Sequence, residues 1–141
     1  MSLFLREFAS GFDEQVGQDA RNRFLRTVGA NMAARLALPR CDTVEELELE
    51  INALLSLIGW GQAGLTLDRD RQCLQVRHRG LPRIGALGAP AGYWLAACLA
   101  GMYETWIGRQ PGAQNDCVMT WRPDQDCPDG TIVLDYGAVQ K

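Results

Sequence analysis

The sequence predicts one α+β domain over residues 1–141: N-terminal helices, a β-hairpin, a helix and a second β-hairpin, with an antiparallel sheet packed on the helices. Three observations lead there. Apolar residues recur at helical spacing as far as Ile58, the period falls to two from Ala63, and a second helix and a second alternating pair then repeat the order.

The first long helix is expected over Asp13–Leu38, preceded by a short one over Ser2–Ala9, and Pro39 stops it. Val16, Ala20, Phe24, Val28 and Met32 form its apolar stripe, which leaves Asp19, Arg23 and Arg26 for solvent. Thr43-Val44-Glu45-Glu46 then reads as a capping box, with the threonine hydroxyl on the Glu46 amide and the Glu46 side chain reaching back. Val44, Leu47, Ile51, Leu54, Leu55 and Ile58 give that second helix its buried face, and Gly59 stands where a left-handed cap is expected. Leu65 and Leu67, then Leu74, Val76 and His78, alternate with polar residues around the Asp68–Arg71 turn, which is a hairpin pattern. A glycine-rich stretch, LPRIGALGAPAG, leads to a helix from about Tyr93 to Ile107. Asp116–Trp121 and Thr131–Tyr136 make the second hairpin, joined by RPDQDCPDG.

Composition narrows the function classes. With 141 residues, 47% hydrophobic and 22% charged, the chain supports one core. A net charge of -3 argues against a dedicated nucleic-acid binder. The only lysine is Lys141, which removes Schiff-base chemistry and any Walker A loop. Five cysteines without C-x-x-C spacing and without a visible export signal read as reduced thiols in the cytoplasm.

Candidate sites fail on context. Gly59-Trp60-Gly61-Gln62-Ala63-Gly64 fits G-x-G-x-x-G, but it follows a helix and precedes a strand, the reverse of a dinucleotide site. It reads as a cap and a turn. His78 is the only histidine and is expected to be a structural residue of the sheet; an enzyme reading requires it to pair with an acid such as Asp135. Ser56 lies mid-helix, away from any nucleophile elbow. Asp124, Asp126 and Asp129 lack the glycine and glutamate of a calcium loop. Neither catalytic residue, cofactor nor metal site is predicted.

Arg77, Arg79 and Arg83 fall in an acid-free interval and offer a docking face for an acidic partner or a sugar chain, or simply a solvated strand face. The helix around Trp94–Met102 lacks a polar side, and so does the back half of the Leu54 helix. One small domain hardly wraps two such helices, so an oligomer with isologous contacts is expected. One fully buried central helix is the alternative.

Several stretches resemble the cellulose synthase D-subunit family: DEQVGQDARNRFLRTVG (13–29), the Pro39-x-Cys41-x-Thr43-Val44 junction and INALLSLIGWG (51–61), with Leu81-Pro82 and Gly92, Trp94, Leu95, Ala96, Leu99, Gly101, Tyr103 and Trp106. The likeness runs from about Leu3 to Trp106. It implies a non-enzymatic subunit that pairs and then assembles four dimers into a homo-octamer, supporting crystalline cellulose secretion beside the inner-membrane synthase complex. It further implies either a conduit for glucan chains or a cytoplasmic scaffold for a proline-rich operon partner; the family is also viewed as periplasmic. The sequence begins close to the first helix, without the family's longer extension, which leaves Ser2, Leu3, Phe4 and Leu5 as positions for glucan contact. Leu47, Ile51, Leu54, Ile58, Trp94, Leu99 and Trp106 are expected to build core and subunit contacts. The alternative reading is a dimeric small-molecule-sensing α+β domain, with a pocket between the Trp94 helix and the sheet.

Overall fold

The computed structural model describes residues 3–70, 72–82, 94–111, 117–122 and 131–138. The elements run α1 (Leu3–Arg35), α2 (Val44–Ile58), β1 (Gln62–Asp68), β2 (Cys73–Arg79), α3 (Ala96–Gly108), β3 (Cys117–Trp121) and β4 (Ile132–Ala138). This is the α+β order expected. The glycine-rich stretch over 83–93, the expected helix start at Tyr93 and the acidic loop over 123–130 lie outside the described residues.

Helix α1 differs from expectation in two ways. Its break falls at Gly17, which adopts φ 80° and ψ 166°, so residues 10–12 are helical instead of forming a linker. Glycine enters that conformation without a Cβ penalty. The buried face is Arg21, Leu25, Gly29 and Ala33, one residue round from the expected stripe. Val16 and Phe24 are exposed; Arg26, expected in solvent, is half-buried and pairs with Glu104. The cause is α3. A Cβ on Gly29 would stand 2.0 Å from the Cys98 carbonyl oxygen, and one on Gly101 would stand 2.3 Å from that of Arg26. The two helices cross at backbone contact, which selects the small residues of α1 and not its bulkiest ones.

Helix α2 begins and ends as its sequence indicates. The Thr43 hydroxyl accepts from the Glu46 amide at 3.0 Å, and the Glu46 carboxylate reaches back to the Asp42 amide at 2.9 Å. At the other end Gly59 is left-handed (φ 69°), and its amide with that of Trp60 closes the last carbonyls. Thr43→Ala should cost about 1 kcal/mol, readable as a lower urea midpoint at unchanged m-value.

The sheet is antiparallel in the order β1-β2-β4-β3. Its register places Ala63 opposite His78, Leu65 opposite Val76, Val76 opposite Leu134, and Trp121 opposite Leu134 on one face. That face meets α2 and α3 in the main core, where Ile51, Leu55, Val76, Leu99, Met102, Ile132 and Leu134 are fully buried. Helix α3 is buried from Ala96 to Ile107 except at Ala97, Glu104 and Thr105, between α1 and the sheet. It is the buried central helix, so the apolar surplus expected from it does not reach the surface.

Candidate functional site

The largest apolar side chains left outside lie mainly on α1. Leu3 is 72% exposed, Phe4 76%, Phe8 51% and Phe24 52%. Helical spacing of four stacks these rings on one side. Phe4 and Phe8 have centroids 6.1 Å apart, Phe8 and Phe12 6.0 Å, and Phe12 meets Phe24 at 5.4 Å across the Gly17 break. The kink therefore joins two short aromatic runs into one ladder. Leu49 and Leu57 of α2 are also exposed, as the apolar back of that helix indicated. Contiguous apolar surface of this kind marks interaction faces in monomers. The F-x-x-x-F-x-x-x-F spacing at 4, 8 and 12 is the sequence signal for the ladder, and a short helix ending at Ala9 leaves Phe12 outside.

The other predicted residues separate into groups. Leu47, Ile51, Leu99 and Trp106 sit together in the main core of the subunit, with Leu54 and Ile58 partly buried at its margin. Trp94 belongs to a second cluster with Ala9, Leu25 and Cys98, against which Leu5 also packs. Leu3 and Phe4 face outward at the start of the ladder. Arg77 and Arg79 are exposed on the sheet face opposite the core, two residues apart on β2. Ser2 and Arg83 lie outside the described residues.

Helix side chains cap part of both sheet edges, which sequence reading missed. At β3 the Met119 amide donates to Glu104 at 2.8 Å, while its carbonyl accepts from Arg26, itself paired with Glu104 at 3.2 Å. At β1 the Ala63 amide and carbonyl both bond the Asn52 side chain, at 2.7 and 2.9 Å, and the Leu65 amide donates to Glu48 at 3.0 Å. Covered edges resist strand-to-strand addition.

His78 is fully buried and its ring nitrogens are both engaged. Nε2 donates to the Trp60 carbonyl at 2.7 Å, since a carbonyl only accepts; Nδ1 therefore accepts from the Tyr103 hydroxyl at 2.5 Å. Burial pushes the histidine down to about 4 and the Tyr103 phenol well above its usual value. The His78–Asp135 pair that an enzyme reading needed is not formed: Asp135 lies opposite Gln75 and takes Arg122 at 2.9 Å. Cys41 and Cys98 are free thiols, and burial pushes Cys98 up to about 11, which disfavours its thiolate. Among the described residues no cluster of three His, Cys, Asp or Glu could hold a metal, and no helix is long and apolar enough to cross a membrane.

A cleft of about 430 Å³ opens between α1, α3 and β3. The space between α3 and the sheet, where the sensor reading put its pocket, is occupied by Leu99, Met102 and Tyr103 against Val76, Ile132 and Leu134.

Fold and surface together define a small α+β domain whose most prominent exposed chemistry is an aromatic contact face. The chain belongs to the cellulose synthase D-subunit family, whose profile matches residues 1–137. It is 43% identical over 137 residues to cellulose synthase operon protein D of Komagataeibacter xylinus, covering 94% of this chain and 88% of the relative. To the protein of the same name from Komagataeibacter sucrofermentans it is 42% identical over the same spans. The family match continues through the last hairpin, beyond Trp106 where the resemblance read from the sequence faded.

Proposed function

We propose that this chain is a non-catalytic, oligomeric scaffold subunit of a bacterial cellulose synthase secretion system, promoting ordered export of crystalline cellulose. The observation that carries this reading is the aromatic ladder in which exposed Phe4, Phe8 and Phe24 stack through the partly buried Phe12. A domain that caps part of both sheet edges yet leaves Phe4, Phe8 and Phe24 exposed along one helix keeps that helix for association. The family's relatives, named for a cellulose synthase operon, supply the system in which such a subunit works. In this reading, as the family resemblance implies, dimers form and four of them complete an octamer; an exposed helix face that pairs with its own copy suits the dimer step. The odd number of cysteines, with Cys41 and Cys98 free thiols, supports the cytoplasmic side of the inner membrane, beside the synthase complex. Leu3, Phe4 and the Arg77–Arg79 face are the places it offers a proline-rich operon partner or a glucan chain.

Native mass of the purified protein tests the proposal: eight chains are expected. A dimer at every concentration would instead favour the small-molecule-sensing reading, for which the cleft at β3 is the supporting observation. Phe8→Glu should lower the mass while the helical circular dichroism and melting midpoint stay near wild type, because Phe8 is half exposed in the subunit. An unchanged mass in that variant removes the ladder from the interface.

A further inference from the structure

Buried arginines are costly unless their donors are satisfied, because a guanidinium carries five N–H groups and a permanent charge. Arg21 is 3% exposed. Its Nε–H has no hydrogen-bond partner, and its Nη1 stands 3.6 Å from Asp13 Oδ2, beyond hydrogen-bond distance for good geometry. The Asp13 carboxylate is already engaged, since both of its oxygens accept from Trp94 Nε1 at 3.0 Å. The guanidinium carbon lies 5.6 Å from the centre of the Trp94 ring, which holds the charge in place without satisfying its donors. Arg21 is thus fixed, charged and short of acceptors.

It also lines the cleft between α1, α3 and β3. The rest of the wall has a consistent chemistry. Gln18 and Asn22 are one helical turn apart on α1 and supply amides that both donate and accept; Ala96, Ala97 and Ala100 of α3 and Trp121 of β3 add apolar wall. Arg26 adds a second cation, and among the described residues no acid lines the cleft. The volume, about 430 Å³, is that of a small-molecule site.

We infer that this cleft binds a small organic monocarboxylate, with Arg21 as the residue that holds its carboxylate. A planar carboxylate matches the guanidinium and supplies the acceptors that Arg21 lacks. One negative charge suits the site better than two. Arg26 is committed to Glu104 and Met119, and Asp13 already answers part of the Arg21 charge, so a phosphate dianion meets too little positive charge. The alanines and Trp121 take an apolar ring or chain, while Gln18 and Asn22 beside Arg21 are available to a further polar group. This inference is independent of the assembly reading, since the cleft and the phenylalanine ladder share no residue.

The test is a titration of the intact protein with 4-hydroxybenzoate, with sodium chloride and inorganic phosphate at matched ionic strength as controls. The indole N–H resonances of the four tryptophans are followed by heteronuclear NMR. Trp94 and Trp121 should shift saturably with a Kd on the order of 1 mM, while Trp60 and Trp106 stay in place. Chloride and phosphate should leave all four unmoved. Arg21→Gln should weaken binding about tenfold. Asn22→Trp, at an exposed position on the rim, should block the cleft without touching the buried guanidinium, so it tests the site even if the Arg21 variant does not fold. Shifts reproduced by chloride or phosphate, shifts that persist in Asn22→Trp, or the absence of saturable shifts each overturn the inference.

Discussion

Gly101→Val is expected to be the most damaging single substitution in the domain. A Cβ at position 101 would lie 2.3 Å from the Arg26 carbonyl oxygen, and the two extra methyls of valine would enter the backbone of α1. Neither partner can yield: the obstacle is main chain inside a helix, and α3 is held on its other side by the sheet. The helices must separate, which opens the contacts of Leu25, Ala33, Cys98 and Met102 together. Overpacking of this kind costs about 3 kcal/mol or more, or roughly 10 °C in melting midpoint for a domain of this size. Gly29→Val should act the same way from the opposite helix, where the Cys98 carbonyl oxygen is 2.0 Å from the added Cβ. The control is Gly11→Ala. Nothing lies within 4 Å of a Cβ there, and the position is helical, so alanine should stabilise by about 0.5–1 kcal/mol. Thermal unfolding of the three variants separates a close helix crossing from a general intolerance of substitution. A wild-type midpoint for Gly101→Val would falsify the crossing as described.

Mild acid should destabilise the protein through its only histidine. His78 is neutral in the fold, with Nε2 donating to Trp60 and Nδ1 accepting from Tyr103, and burial lowers it to about 4 from an ordinary 6.5. Protonation would leave Nδ1 as a donor facing the Tyr103 hydroxyl, which then has to surrender its own donor role in the core. The sign follows from linkage. Above pH 6.5 both folded and unfolded chains carry a neutral imidazole, and the contribution is fully present. Between 6.5 and about 4 the unfolded chain binds the proton and the folded chain resists it, so stability is lost as pH falls. The full loss is about 3 kcal/mol for this one group. Urea unfolding at about pH 7.5, 6, 5 and 4 should show the decline. His78→Gln should start less stable, because the Trp60 carbonyl and Tyr103 hydroxyl lose a shaped partner, but its stability should change less over this interval. Equal slopes in the two proteins would place the acid sensitivity on the carboxylates instead.

Much of this fold is written locally. The Thr43–Glu46 cap, the left-handed Gly59 and the two-residue alternation of β1 and β2 are decided by neighbours within a few positions, so they can be read before any tertiary contact is known. The same holds for the meaning of GWGQAG. Gly59 ends a helix, Gly61 (φ 98°) turns the chain where a Cβ would meet the Arg79 carbonyl at 1.9 Å, and Gly64 sits in a strand. The family, too, is legible in INALLSLIGWG and the segments around it.

What the sequence could not decide is which side of each element faces inward when several sides are apolar. Helix α1 has enough hydrophobic residues for more than one stripe. The choice of Arg21, Leu25, Gly29 and Ala33 over Val16 and Phe24 was made by α3, which comes within backbone contact and therefore requires glycine where size alone suggests phenylalanine. That rotation sends Phe8 and Phe24 outward, and the Gly17 break brings Phe24 against Phe12. The strand order β1-β2-β4-β3 is likewise tertiary, and the sealing of Met119 by Glu104 and Arg26 joins residues 15 and 93 positions apart. Local chemistry set the helices, turns and strands because caps and alternation act over short range. The spacing of Phe4, Phe8 and Phe12 is in the sequence, but the exposure of the ladder, its extension to Phe24 and the Arg21 cleft came from tertiary structure, because only the packing of α1 on α3 determines which apolar rings stay outside and which charge is drawn in.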